Sequence, residues 1–306
     1  MVRASLLAAL VSLAALGDRL APSLPQGASE RAVLVTVLDD AGAPIKDLKT
    51  SEFLVREDGK DREVVDARAA TEPLFVAMLI DTALPPAGVQ APTREMRSGL
   101  QSFVNAIQGG NPEAQLALME YAGAAVMSVN FTTKTADLEK SIQRLFPSQR
   151  SSSVLLEALI DASRALAKKP SPRRAIVSIN FGSPEASSVE PKRVADEVLK
   201  SGAALWAISI HGAETASAFQ AGNQAANNQM APSREIVLAN VPAMTGGLRL
   251  TAVSATALES LLKRVADGLL TQYVVTYKRP AADAPPKLVQ ATATRGAKIL
   301  QAQWLR

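Results

Sequence analysis

The fold class of this 306-residue chain is decided by the stretch Leu74-Phe75-Val76-Ala77-Met78-Leu79-Ile80-Asp81-Thr82. Residues 74–80 form an almost wholly apolar run, which is typical of a parallel strand covered on both faces. Asp81 follows directly and therefore stands at the carboxyl end of that strand, where doubly wound folds place their ligands. A carboxylate at this position can bind a hard divalent cation. The alternative is that Asp81 caps the turn that begins with Thr82.

Helical and strand-like segments alternate after this stretch, as far as residue 271. Apolar residues recur at helical spacing, beginning with Met96, Leu100, Phe103 and Ile107. The alternation predicts an α/β fold with a Rossmann-like, doubly wound, mostly parallel sheet. Residues 115–121 and 124–129 fit an antiparallel pair at the sheet edge. Ser153 stands where a cap of the helix containing Leu155 and Leu166 is expected.

Strand patterns also occupy the two ends of the chain. Val33, Val35 and Val37 alternate with their neighbours, and residues 53–55 and 63–65 flank an Asp58-Gly59 hairpin turn. Further strands are predicted near the C-terminus. The simplest closure pairs the N- and C-terminal strands into one small β-sandwich. The predicted domains are an N-terminal β module (31–72), an α/β domain (73–271) and C-terminal strands that return to the module (272–306).

The N-terminus indicates export. Arg3 precedes an uncharged apolar run that is too short to span a bilayer comfortably, and small residues end it at Gly17. We predict a signal peptide over 1–17, a linker over 18–30 and a periplasmic or extracellular protein without a stable membrane span after signal removal. An uncleaved membrane anchor is the alternative. Residues 213–232 are rich in Ala, Gln and Asn and are predicted to be an insertion or loop.

Composition excludes several classes of catalytic and cofactor site. With no cysteine and one histidine, His211, the chain cannot form a thiolate metal site, a disulfide or a multi-histidine centre. None of the 17 glycines forms a Gly-x-Gly pair, and no phosphate-binding Gly-Lys-Ser/Thr motif occurs. The net charge is +4, and the dense basic group at residues 168–174 is interrupted by prolines. We interpret that group as a solvated loop and expect no nucleic-acid partner.

Five motifs resemble, in order and spacing, the bacterial von Willebrand factor type A-related family. They are Asp47-Leu48-Lys49-Thr50-Ser51-Glu52-Phe53, Glu57-Asp58-Gly59-Lys60, Phe75-Val76-Ala77-Met78-Leu79-Ile80-Asp81-Thr82, Met244-Thr245-Gly246-Gly247 and Gln272-Tyr273-Val274-Val275-Thr276-Tyr277. The resemblance covers nearly all of the chain after the predicted signal peptide. It implies a Rossmann-like domain beside a short β module, and a role in binding proteins rather than in catalysis.

The resemblance also implies a metal-ion-dependent adhesion site, built from Asp-x-Ser-x-Ser, a threonine and a second aspartate on three loops. This chain keeps the first aspartate as Asp81 but has Ala83 and Pro85 at the two serine positions. Ser153 stands at the threonine position. The second aspartate is expected at Asn180 or Phe181, and neither is a carboxylate. We therefore expect a degenerate site with Asp81 and Ser153 as its remaining ligands.

Two ligands are too few for tight Mg²⁺ binding, because that ion prefers near-octahedral oxygen coordination. Glu185, on the same loop as Asn180, would complete the set if it pointed inward. The leading hypothesis is an exported, non-enzymatic module that binds proteins without a cofactor. Its candidate binding-surface residues are Thr82, Ala83, Pro85, Ser151, Ser152, Asn180 and Glu185.

Two other hypotheses remain. The protein could be a cation-dependent adhesin or assembly factor that holds Mg²⁺ or Mn²⁺ at the two remaining ligands. It could also be a hydrolase, in which Ser151, Ser152 or Ser153 acts as nucleophile with Lys168 or His211 as base. A metal titration separates the first of these from a metal-independent module.

Overall fold

The computed structural model describes residues 28–84, 91–150, 152–210, 231–280, 283, 286 and 288–305. The predictions for the signal peptide, for most of the linker, for residues 213–230, and for Pro85, Ser151 and His211 lie outside these residues. Among the helices of the described ranges, none combines the length and the apolar character that crossing a membrane requires.

A six-stranded sheet forms the centre of the fold, in the order β10-β9-β8-β5-β6-β7. Its strands are β5 (Phe75–Ile80), β6 (Gln115–Glu120), β7 (Val126–Thr132), β8 (Arg174–Asn180), β9 (Ala204–Ile210) and β10 (Arg249–Ala252). All neighbours pair in parallel except β6 and β7, which are antiparallel at the edge. The predicted mostly parallel sheet is therefore confirmed.

Helices cover both faces of this sheet. They are α1 (Thr93–Gly110), α2 (Thr135–Gln143), α3 (Leu155–Ala167), α4 (Pro191–Ser201), α5 (Ala231–Met244) and α6 (Leu258–Leu270). Strand β5 alternates between two apolar cores: Val76 and Met78 pack with α1 and α6, whereas Ala77 and Leu79 pack with α3. All six of its residues are buried, which explains why its sequence is continuously apolar.

Two antiparallel sheets form the second part of the structure. One has the order β13-β1-β11-β4 and the other β12-β2-β3. The strands are β1 (Ala28–Leu38), β2 (Phe53–Glu57), β3 (Lys60–Arg62), β4 (Val64–Ala69), β11 (Tyr273–Pro280), β12 (Val289–Ala293) and β13 (Lys298–Leu305). Val35 and Tyr277 of one sheet share a core with Phe53 and Val55 of the other. N- and C-terminal strands thus close one sandwich.

Two details of the N-terminal strands differ from the prediction. Strand β1 begins at Ala28 and so includes the last residues of the predicted linker. The Asp58-Gly59 turn joins β2 to β3, with positive φ at both residues as a tight hairpin requires. However, the second strand of the predicted hairpin ends at Arg62. The residues that follow form β4, which pairs with β11 in the other sheet. Alternation in a sequence identifies a strand but not its partner.

Arg173 joins the sandwich to the α/β part. Its side chain is buried and donates hydrogen bonds to the carbonyl oxygens of Glu72 and Leu269, both at 2.8 Å, and to Oε1 of Gln272 at 3.2 Å. The interpretation of residues 168–174 as a solvated loop is therefore wrong for this arginine. A group of basic residues cannot be assigned to the surface by charge alone, because a guanidinium can donate hydrogen bonds to several buried carbonyl oxygens.

Candidate functional site

Buried polar side chains gather at the edge of the sheet where β5, β6 and β8 end. They are Asp81, Tyr121, Ser153, Asn180, Ser183, Glu185 and Arg234, all less than 9% exposed. The parallel strands bring these residues together from distant parts of the sequence, because their carboxyl ends share one edge. Such a concentration of polar groups in a buried position requires internal hydrogen bonds and charge compensation.

Both carboxylate oxygens of Asp81 are engaged. Oδ1 accepts a hydrogen bond from the backbone N–H of Ala83 at 3.1 Å, and Oδ2 accepts one from Phe181 at 3.3 Å. The Ser183 side chain also interacts with this carboxylate and lowers its pKa. Burial raises the pKa of Asp81, whereas these donors and the charge of Arg234 act in the opposite direction. Asp81 thus closes the turn after β5 and also ties it to the loop after β8.

Ser153 lies between two chain segments and does not cap α3. Its backbone forms bridges with Ala122 and Glu185, and its hydroxyl donates to Oε2 of Glu185 at 3.3 Å. The predicted cap is wrong because these bridges fix Ser153 one residue before the N-cap position, which Val154 occupies. The free N–H groups of α3 are instead satisfied from another loop.

Glu185 supplies that cap and points inward, with no exposed surface. Its Oε1 accepts hydrogen bonds from the backbone N–H of Leu155 at 3.1 Å and from the Ser187 hydroxyl. A carboxylate at a helix N-terminus also interacts favourably with the helix dipole. Burial raises the pKa of Glu185, while Ser187 and Arg234 lower it. The side chain therefore reaches the site, but its oxygens already have partners.

Arg234, in the first turns of α5, brings a positive charge to these carboxylates. Its Nη1 donates to the carbonyl oxygen of Ser183 at 2.6 Å and lies 3.9 Å from Oε2 of Glu185. The side chain is 8% exposed. No motif in the sequence marks this residue as part of a site. Only the packing of α5 against the sheet brings it to the site.

Asn180 and Tyr121 complete the site with hydrogen bonds along the sheet. The Asn180 side-chain amide donates to the carbonyl of Ile208 at 2.9 Å and to the Ser209 hydroxyl at 3.2 Å. The Tyr121 hydroxyl donates to the carbonyl of Ile179 at 2.6 Å. Burial raises the pKa of Tyr121 far above its ordinary value, and the nearby Asp81 raises it further. The side-chain amide of Asn180 is thus directed to β9.

The described side chains do not match the oxygen set that a divalent cation needs. Ala83 has no side-chain oxygen, and the oxygens of Asp81 and Glu185 already accept hydrogen bonds. In the described ranges, no cluster of three or more His, Asp or Glu side chains has an arrangement that could hold a metal ion. Mg²⁺ in particular requires near-ideal octahedral coordination.

Most of the candidate surface residues that the structure describes are covered. Thr82, Ala83, Asn180 and Glu185 are buried, and Ser152 is half-buried. These four buried side chains therefore shape the loops from within and do not present a contact surface to a partner. The reason is that the loops fold back over the end of the sheet.

Two large apolar side chains are exposed at this end instead, Leu84 at 42% and Phe146 at 63%. Their loops are joined by hydrogen bonds from Leu84 N–H to the Arg150 carbonyl (2.6 Å) and from Ser148 N–H to the Thr82 carbonyl (2.7 Å). The Arg97 guanidinium lies 4.2 Å from the centre of the Phe146 ring. Only the structure shows that Phe146 faces solvent.

Arg97 fixes the Phe146 loop to α1. Both its Nε and its Nη2 donate to the carbonyl oxygen of Leu145, at 3.1 and 2.6 Å. The exposed ring is thus held in place by a cation–π contact and by the backbone that precedes it. An aromatic side chain fixed in this way loses little conformational entropy on binding.

The geometry separates the groups that a serine–lysine hydrolase would need. Lys168 caps the carboxyl end of α3, whereas Ser152 and Ser153 precede its amino end. A helix of 13 residues is about 20 Å long. A lysine base at one end cannot reach a serine nucleophile at the other, since proton transfer needs hydrogen-bond distance.

Comparisons with known proteins point to one family. A family model of the von Willebrand factor type A domain matches residues 77–245. The chain is similar to the VWA domain of SpRpn10, with 19% identity, coverage of 64% of this chain and 97% of that one, and a TM-score of 0.44. A search of curated protein sequences finds no match.

A second similar structure is proximal thread matrix protein 1 from the mussel byssus, with a zinc-occupied MIDAS motif. The identity is 13%, the match covers 70% of this chain and 49% of that one, and the TM-score is 0.51. This chain therefore spans about half the length of the mussel protein, and the likeness concerns the fold.

Proposed function

The chain belongs to the von Willebrand factor type A domain family, and from this premise we propose that it is a non-enzymatic module that binds proteins without a divalent cation. One observation carries the proposal: Asp81, the aspartate that the chain retains at the family's metal position, is buried with both oxygens hydrogen-bonded to backbone N–H groups. A metal ion would compete with these donors for the carboxylate, and the side chain of Ala83 offers it no oxygen.

The contact surface in this proposal is the pair of loops that carry Leu84 and Phe146. A few anchor residues, often aromatic side chains or arginines, supply most of the binding energy in protein interfaces. The segment 144–150 also contains two exposed arginines, Arg144 and Arg150, and no acidic residue. A partner that fits this surface has an apolar anchor flanked by acidic side chains, because complementary charge favours association.

Export is part of the same proposal. It is supported by the apolar run after Arg3, with small residues near Gly17. Mass spectrometry of the exported protein tests it. A mature N-terminus close to residue 18 is expected, and an intact Met1 would contradict cleavage.

Mg²⁺ or Mn²⁺ at millimolar concentration is expected to leave the melting temperature unchanged. The physical reason is that a ligand stabilises a protein only if it binds the folded state, and the carboxylates at this site are already engaged. Thermal melting with each chloride salt, against NaCl at the same ionic strength, measures the effect. A saturable increase that disappears in Asp81→Ala would overturn metal independence and favour the cation-dependent adhesin.

Phe146→Ala is expected to reduce partner capture at least about tenfold, since an anchor residue contributes about 2 kcal/mol or more to binding. The immobilised protein is incubated with the exported protein fraction, and captured proteins are quantified by mass spectrometry. Stability should change little, because the Phe146 ring is mostly exposed.

The matched control is Leu54→Ala. This leucine is also exposed, at 57%, but it lies on β2 of the sandwich. It should retain every protein that the unmodified chain captures. If Phe146→Ala and Leu54→Ala capture the same proteins in equal amounts, the proposed surface is wrong.

A further inference from the structure

We propose that Arg234 is the fixed cation of this site and supplies the positive charge that a metal ion supplies in a metal-binding relative. This inference deepens the proposed function and rests on its metal independence. It assigns a role to a residue that the sequence motifs do not mark.

Arg234 balances the charge of two buried carboxylates. Asp81 and Glu185 are 3% and 0% exposed, and each accepts hydrogen bonds inside the protein. Burying two carboxylates without a compensating charge is strongly unfavourable. The charge of Arg234 acts on both groups in the direction that favours their ionised forms.

The guanidinium of Arg234 also lies close to the retained ligand positions. Nη1 of Arg234 lies 2.6 Å from the carbonyl oxygen of Ser183 and 3.9 Å from Oε2 of Glu185. The Ser183 side chain interacts with Asp81 and lowers its pKa, and the same Glu185 oxygen accepts a hydrogen bond from Ser153 at 3.3 Å. The guanidinium is therefore connected, through one residue each, to both ligands that the chain retains at the family's metal positions.

The chemistry of a guanidinium also suits the role of a fixed cation. Arginine stays protonated throughout the range in which proteins are folded, and its planar group can contact several oxygens at once. A divalent cation placed beside it would be repelled, and the repulsion is strong where water is excluded. A cation that is covalently part of α5 cannot be removed by chelation. The charge of this site is then independent of the metal concentration outside the protein.

The positive charge of Arg234 therefore acts inside the protein and is not available to a binding partner. Arg234 is 8% exposed, so it stabilises the loops and is not presented to a partner carboxylate. The loops that it fixes include residues 181–187, next to the loop of Asp81. Partner contacts then fall on the exposed side chains of the neighbouring loops.

A double-mutant cycle tests the assignment. Arg234→Gln should lower the folding equilibrium constant about 100-fold, because it leaves buried carboxylates uncompensated. In a protein that already carries Glu185→Gln, Arg234→Gln should lower the folding equilibrium constant about tenfold or less. The resulting coupling of at least about tenfold is measured by urea unfolding of the full chain. Arg234→Lys, which keeps the charge, should retain most of the stability.

The matched control is the ion pair of Arg249 with Glu235, at 2.7 Å, which is partly exposed and also involves α5. A cycle of Arg249→Gln with Glu235→Gln should give a coupling below about threefold, as for surface pairs. If Arg234→Gln alone does not fold, Glu185→Gln should restore folding in the double variant.

Additive effects of Arg234→Gln and Glu185→Gln, or equal losses for Arg234→Lys and Arg234→Gln, would overturn the assignment. So would a double variant that stays unfolded although Glu185→Gln alone folds. These outcomes are distinct from a failure of the proposed function, because a metal response of the unmodified protein is measured separately.

Discussion

Gly247→Ala is expected to destabilise the α/β domain by more than about 4 kcal/mol, which is a large part of the total stability of a typical domain. A Cβ atom on Gly247 would lie well inside van der Waals distance of the Leu205 carbonyl oxygen and 2.5 Å from its carbonyl carbon. Both atoms belong to the backbone of β9, so no side-chain rotation can relieve the overlap. Urea unfolding followed by circular dichroism measures the loss.

The backbone of β9 cannot move away from residue 247, because hydrogen bonds hold the strand at Leu205 and again two residues later. The Leu205 N–H donates to the Thr245 hydroxyl at 3.0 Å, and the Ala207 N–H donates to the Leu248 carbonyl at 2.9 Å. The Thr-Gly-Gly motif therefore has a physical purpose: Thr245 binds the strand while Gly247 lets α5 end directly against it.

The matched control for this substitution is Gly109→Ala. An added Cβ there would meet no atom within 4 Å, and the position is exposed near the end of α1. The substitution should leave stability unchanged or raise it by up to about 1 kcal/mol, since alanine favours helix more than glycine does. Equal behaviour of the two alanine variants would contradict the steric explanation.

Glu57→Ala is expected to lower the free energy of unfolding by about 3–5 kcal/mol, because it removes a buried negative charge that lies against Arg62 and Arg279. Glu57 is 1% exposed, and its Oε2 lies 2.9 Å from Nε of Arg62 and 3.4 Å from Nε of Arg279. Its Oε1 accepts a hydrogen bond from the Tyr277 hydroxyl at 2.8 Å. Equilibrium unfolding in guanidinium chloride measures the change.

Asp61→Ala is the control for Glu57→Ala. Asp61 is paired with Arg56 on the same hairpin, but both side chains are largely exposed, at 78% and 60%. Removing an exposed pair should change stability by less than about 1 kcal/mol. The explanation by burial is refuted if Asp61→Ala and Glu57→Ala are equally destabilised.

Glu57 is of interest because its partners come from both sheets of the sandwich. Arg62 and Glu57 lie on the sheet of β2, whereas Tyr277 and Arg279 lie on β11. The network therefore links strands from the two ends of the chain. We propose that the sandwich and the α/β part form distinct units, with boundaries near residues 72 and 272, which Arg173 holds together at their junction.

Periodicity in the sequence determined the elements of this protein and their class. The apolar run 74–80 predicts a strand covered on both faces, because no other environment buries every consecutive side chain of a strand. Alternating helices and strands then predict the doubly wound sheet. The position of Asp81 at the end of that run likewise follows from local order. The substitutions at Ala83 and Pro85 are visible in the sequence alone.

Only the tertiary structure decided what each candidate residue contacts. Glu185 caps a helix that is distant in sequence, and Arg234 reaches the site from the first turns of α5, where no motif marks it. Thr82 and Asn180 are buried although their positions suggest a surface, and Phe146 is exposed although it is aromatic. The physical reason is that a sequence pattern records the local environment along one element. Contacts between loops depend on how separate elements pack, which no local pattern encodes.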